Sequence, residues 1–239
     1  MRAALLLACV LFCGPAFAGS EKPPAAPASA TLAKDDIIAQ AREARASGDG
    51  ARAVSLMQGL QLRHENDPEV LLHLGYALIA DGQFEEAVGL YDMLTAMQPR
   101  NSLAFNAKAV AFDYAGNHVG AQEVYDKALR IDSTSHTIKN NLALSYILNN
   151  EPKKAVALLA PLAKQPEAPP ALRQNLALAY ALVGDEKKSR EMNLRDLTPE
   201  QADENQKFYA YYKKLKQSQK EDALMTRALY APQGEKAEE

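Results

Sequence analysis

A single repeat period constrains this chain more than any other feature. The stretch Leu72 to Leu94 (LHLGYALIADGQFEEAVGLYDML) aligns with Asn106 to Leu129 (NAKAVAFDYAGNHVGAQEVYDKAL). Gly75 falls on Ala109, Gly82 on Gly116, Ala87 on Ala121 and Tyr91 on Tyr125, each pair 34 positions apart. The register continues in both directions. Small residues recur at Ala41, Gly75, Ala109, Ala143 and Ala177. Gly48, Gly82, Gly116, Asn150 and Gly184 hold a second phase, and Ala53, Ala87, Ala121, Ala155 and Ser189 a third. Five repeats therefore run without insertion from about Lys34 to Asn193.

Such a chain cannot close around one central core; each unit must bury its apolar face against its neighbours. Thirty-four residues is the period of the tetratricopeptide repeat, a pair of antiparallel helices. The phases fit that reading. The small residue of the first helix, A, lets the second, B, approach closely, and the B-helix Ala does the same in return. The Gly or Asn ends helix A in a left-handed turn. Leu74, Leu78, Phe84 and Tyr91 fill the space between helices. The expected fold is all-α, a right-handed tetratricopeptide superhelix of about five hairpins spanning 34–195. The end repeats are weaker. Ala44 stands where helix A usually carries an aromatic, and Ser189 and Asn193 replace an Ala and an aromatic. Residues 196–230 are expected to form a C-terminal capping region, with a partner-binding helix as the alternative: Thr198, Pro199 and Gln201 make a helix start, and Phe208, Tyr212 and Leu215 share a face. That helix is expected to reach about Leu215, with a continuation toward Tyr230.

The segment before the repeats reads as an export signal, residues 1–18. Arg2 precedes an apolar run, Ala3 to Phe12, too short to cross a bilayer, and Ala16-Phe17-Ala18 is a small-x-small cleavage site. Both cysteines, Cys9 and Cys13, lie inside it, so the mature chain is expected to hold no disulfide. Neither cysteine sits in a good lipid-attachment context, which disfavours a lipid anchor at Cys9 or Cys13. Pro, Ala and Ser dominate residues 19–33, and 231–239 (APQGEKAEE) is similarly poor in apolar residues; both are expected to be disordered. No second long apolar run appears, so no transmembrane span is expected in the mature chain.

Chemistry is sparse. Charge is nearly balanced, with 27 Lys+Arg against 30 Asp+Glu, which argues against nucleic-acid binding. His64, His73, His118 and His136 have no metal-ligand spacing, and His118 and His136 fall in turn regions where solvation is expected. No phosphate loop or nucleophile elbow is present. The expectation is no cofactor, no metal site, no catalytic residues and no enzymatic activity. Asp35-Asp36 and Glu85-Glu86 sit at helix starts, where they complement the helix dipole.

The A-helix face is the candidate binding surface. One phase carries Leu72, Asn106, Asn140 and Gln174; the next carries His73, Ala107, Asn141 and Asn175. A row of amides can both donate to and accept from the main chain of an extended peptide. Tyr76, Val110, Tyr114, Leu144 and Leu178 lie beside them, able to take apolar side chains. Asn141 and Asn175 have an alternative use, bonding between repeats.

The C-terminal third is more specific than the period. Leu172-Arg173-Gln174-Asn175-Leu176-Ala177-Leu178, then Ala181-Leu182-Val183-Gly184-Asp185, then Arg195-Asp196-Leu197-Thr198-Pro199-Glu200-Gln201-Ala202 with Asn205 resembles the TadD family. These are exported tetratricopeptide proteins of the bacterial tight-adherence (Flp, type IV) pilus assembly system. The resemblance covers about 140–212 and is generic before that. It implies a periplasmic scaffold, peripherally associated with the outer membrane, whose partners are the pilus secretin or other assembly components. Many relatives look like lipoproteins, and this chain departs from them there. The alternative is a periplasmic adaptor of another envelope complex: a pilotin-like partner of a secretin, an outer-membrane assembly accessory, or a regulator of a cell-wall enzyme.

Overall fold

The computed structural model describes residues 33–165, 168–217, 219–220 and 223–224. The expected export signal (1–18), the linker up to residue 32, residues 225–230 and the tail 231–239 lie outside them. Every element among the described residues is helical. The A helices are α1 (Lys34–Ala46), α3 (Pro68–Ala80), α5 (Ser102–Tyr114), α7 (His136–Leu148) and α9 (Pro170–Leu182). The B helices are α2 (Gly50–Gln61), α4 (Phe84–Met97), α6 (His118–Ile131), α8 (Pro152–Leu159) and α10 (Glu186–Asn193). Helix α11 spans Pro199–Lys214, and beyond it the described residues 217, 219–220 and 223–224 are helical again. A and B helices each restart every 34 residues, so the period in the sequence is the period of the structure.

The turn between helices A and B is left-handed in each hairpin. Gly48, Gly82, Gly116 and Gly184 take φ of 81°, 79°, 76° and 89°, and Asn150 takes 59°. Asn is the non-glycine residue that tolerates this region best, which is why it serves in the fourth repeat. Side chains then restart the chain: Asp49, Asn117 and Asp185 accept from Arg52, Gly120 and Lys188 backbone N–H groups at the starts of α2, α6 and α10.

Two compact units divide the described residues between Ala111 and Phe112. In the N-terminal unit, α1 packs on α2, α2 on α3 and α3 on α4. Its core includes Ala53, Met57, Leu71, Ala77, Ala87, Tyr91 and Leu94, all buried. Tyr91 fills the space that Gly75 leaves, and its hydroxyl donates to the Leu72 carbonyl at 3.2 Å.

In the C-terminal unit, α6 through α10 pack in sequence and α11 lies against α9 and α10. The fourth B helix is short. It ends at Leu159, followed by Pro161 and a 3-10 turn, Leu162–Lys164, because proline cannot donate to the helix ladder. The helix from Thr198 has both halves of its capping box, and Pro199 is its first residue. It ends at Lys214, with Leu215 extended, one residue short of the expected stop. Its buried face is Ala202, Asn205, Tyr209 and Tyr212, whereas Phe208 is half-buried. The expected Phe208–Tyr212–Leu215 face is thus rotated toward Tyr209, because a polar partner on α10 claims Asn205 and Tyr209.

Candidate functional site

In the N-terminal unit, the A-helix face is built by α1 and α3. Arg42 and Arg45 lie one turn apart on α1, and His73 and Tyr76 one turn apart on α3, so the pairs face each other in two steps. Arg42 Nη2 donates to His73 Nε2 at 3.1 Å. The Arg45 guanidinium sits over the Tyr76 ring, 5.2 Å from its centroid. The two rings meet edge-on at 5.9 Å, and Tyr76 in turn meets Tyr91 at 6.2 Å. Burial, and then the cations Arg42 and Arg45, push the His73 imidazole down to about 4, so it is neutral at pH 7 and accepts from Arg42. Burial pushes the Tyr76 phenol up to about 12.

A cleft of about 470 Å³ opens here. Arg42, Leu72, His73, Tyr76, Asn101 and Leu103 line it, and Asp67 and Glu69 stand at its edge. Both carboxylates are engaged by Lys34 Nζ, at 2.9 and 2.7 Å. That pairing, with two backbone N–H bonds, holds Asp67 below its ordinary range and raises Lys34.

The expected amide row is mostly interior. Asn106, Asn140, Asn141, Gln174 and Asn175 are all buried, as are Val110, Leu144 and Leu178. Of the candidate groove residues, Leu72, Tyr76 and Tyr114 keep partial exposure. In the C-terminal unit, Asn175 Nδ2 donates to Asn140 Oδ1 at 3.0 Å, a buried bond between successive A helices. These two amides hold repeats together, so removing Asn140 disturbs packing as well as any surface it presents.

His118 is a correction. Its turn position in the sequence points to solvent, but it is the first residue of α6 and is buried. Its Nδ1 pairs with Asp113 Oδ1 at 2.9 Å, and Ser145 Oγ donates to the same oxygen at 2.7 Å. Burial raises Asp113, against the opposing bonds from His118 and Ser145. Ser, His and Asp meet, yet both Ser and His bond the carboxylate, and the serine oxygen is not on the imidazole. No base addresses a nucleophile, so the cluster ties the end of α5 to α6 and α7 and is not a hydrolytic site.

The residues of the C-terminal motif also have structural duties. Arg173 pairs bidentately with Asp196 and donates to the Ala168 carbonyl. Arg195 Nη1 donates to the Ala163 carbonyl at 2.8 Å. Asn193 Oδ1 accepts from Asn205 Nδ2 and the Tyr209 hydroxyl, each at 3.3 Å, and Gln206 donates to Ser189 Oγ at 2.8 Å. The substitutions that made the fifth repeat look weak are therefore its attachment points for α11. Among the described residues no group of three His, Cys, Asp or Glu gathers to hold a metal ion, and no helix is long and apolar enough to cross a membrane.

Comparison with known proteins agrees with this architecture. Residues 44–111 match the family model described as tetratricopeptide repeat. A Sinorhizobium fredii protein, y4yS, is 33% identical over 120 residues, covering 49% of this chain. The chain spans 65% of that relative's length, just under two thirds. Among solved structures, a thermophilic tetratricopeptide protein of Thermus thermophilus matches 75% of this chain and 98% of its own, with TM-score 0.63 and 22% identity. A Podospora anserina kinesin-light-chain protein with nearly identical repeats matches 72% of this chain and 94% of its own, with TM-score 0.56 and 22% identity. These likenesses show the fold: tetratricopeptide repeats, an architecture of protein–protein interaction scaffolds with no catalytic family indicated.

Proposed function

We propose that this tetratricopeptide-repeat chain is an exported, non-enzymatic scaffold that holds an extended segment of a partner protein along its A helices, in the assembly of a Flp-type pilus. The observation that carries the binding reading is the cleft along α3, bounded by Arg42 of α1, the end of α4 and the start of α5, of about 470 Å³, with Leu72 and Tyr76 at its wall. That size is ordinary for a ligand cleft. Partly exposed aromatic and aliphatic side chains beside polar groups suit a peptide, which presents both kinds of surface. Tyr114 on α5 is also partly exposed.

Support for the pilus setting comes from the C-terminal motif and from the export signal, both read in the sequence. The periplasm, with peripheral outer-membrane association, is the compartment this implies. The same features would serve a different envelope complex, and the gene neighbourhood separates the two: adjacent secretin, pilin and secretion-ATPase genes favour the pilus. The decisive test is in cells. A photo-crosslinking residue at position 72 or 114 should trap a secretin or another pilus-assembly protein. Crosslinks to none of these, together with normal surface pili in a deletion strain, would sink the reading.

A further inference from the structure

We infer that the cleft along α3, with Arg42 of α1 at its wall, selects a segment bearing Asp or Glu side chains, and that Arg42 is the group that meets the carboxylate. The inference rests on the proposed peptide-binding face and specifies its chemistry.

Three observations carry it. First, Arg42 is exposed at the cleft wall, and its side chain bonds a neutral ring nitrogen, His73 Nε2. A guanidinium has five N–H donors in a planar fork, so the bond to His73 leaves donor capacity at the cleft wall. Second, the cleft's own acids do not serve it. Asp67 and Glu69 both lie on Lys34, and no ion pair joins Arg42 to a carboxylate among the described residues. Third, Arg45 adds a second positive charge one turn away, partly buried over Tyr76. Arg42, Arg45 and Lys34 together outnumber the two carboxylates, Asp67 and Glu69, at this end of the cleft, which favours a bound anion. Arg is also the side chain best matched to a carboxylate, through two parallel N–H···O bonds.

An acidic side chain entering beside Leu72 would reach the free edge of the Arg42 fork. The Tyr76 ring, already covered on one side by Arg45, would bound the peptide backbone. His73 positions Arg42 by accepting from it, and stays neutral while doing so.

The test is fluorescence anisotropy on the full chain with two acetylated and amidated peptides. One alternates Glu and Pro; the other replaces each Glu with Gln. Amidation removes the terminal carboxylate, so binding reports side chains alone. The Glu peptide should bind about tenfold more tightly than the Gln peptide, and salt should erase the difference. Arg42→Gln should remove that preference, Arg42→Lys should restore part of it, and Lys127→Gln, an exposed charge on α6, should leave it unchanged. Circular dichroism should show all three folded. Equal binding of the two peptides overturns the acid preference and leaves the peptide-binding face standing. A preference that survives Arg42→Gln overturns the assignment to Arg42. No binding of the Glu peptide up to about 1 mM overturns the inference outright.

Discussion

Gly75 has no Cβ because the Tyr91 ring occupies its place. An added methyl would lie 2.3 Å from Tyr91 Cζ, and the ring is fully buried, so it has nowhere to move. Gly75→Ala should destabilise the N-terminal unit by about 1–3 kcal/mol through overpacking, read as a lower urea midpoint. His73 makes a second prediction at this scale. Its folded value, about 4, lies below the ordinary 6.5. Between those values the unfolded chain binds a proton that the folded chain refuses. The stability contributed by neutral His73 is therefore complete above pH 6.5 and lost as pH falls toward 4. His73→Gln should flatten this part of the acid dependence, so the gap between wild-type and variant urea midpoints should change between about pH 7 and about pH 4.5. A constant gap would show that His73 titrates normally.

At the scale of the element, α11 is defined by its attachments more than by its own amphipathic pattern. Its less exposed polar contacts fall on Ser189 and Asn193, exposed ion pairs join Asp203 to Arg190 and Lys213 to Glu186, and the chain leading to it is fixed by Arg173 and Asp196. That ion pair is nearly buried, with side chains 12% and 11% exposed. Asp196→Ala leaves a buried guanidinium without its carboxylate and should lower stability by about 3–5 kcal/mol, measurable by thermal or chemical unfolding. Thr198→Ala removes only the helix cap, worth about 1 kcal/mol, and should shift the same transition less. A larger effect at Thr198 than at Asp196 would mean that the helix start, not the ion pair, holds α11.

Within each unit of the molecule, helices pack on their sequence neighbours, so perturbations should stay local. Hydrogen exchange offers the check. Gly75→Ala should raise exchange in α2 to α4, and Asp196→Ala in α9 to α11, with the remote repeats near wild type. Uniform loss of protection across all helices would instead indicate one cooperative fold. The same locality bears on function. Substitutions at the cleft along α3 should therefore leave the Asn140–Asn175 contact, which holds later repeats, unaltered.

The sequence by itself determined the hairpins, their register and the left-handed turns. Those features depend on residue size and backbone freedom at fixed spacing, and the Gly48-to-Gly184 phase records them directly. It also marked Thr198 to Gln201 as a helix start, because capping is local. Tertiary structure alone decided which polar groups face a partner and which face the protein. His118, Asn140 and Asn175 look available on their helices, and each is spent on a neighbour whose position depends on inter-helix packing. Asn193 looks like a defect and is an acceptor for α11. Arg42 and Arg45 give no signal, since a charge on a helix is solvated unless another helix brings a ring beside it. Side-chain period fixes where a residue points; only the helix packed opposite fixes what it meets.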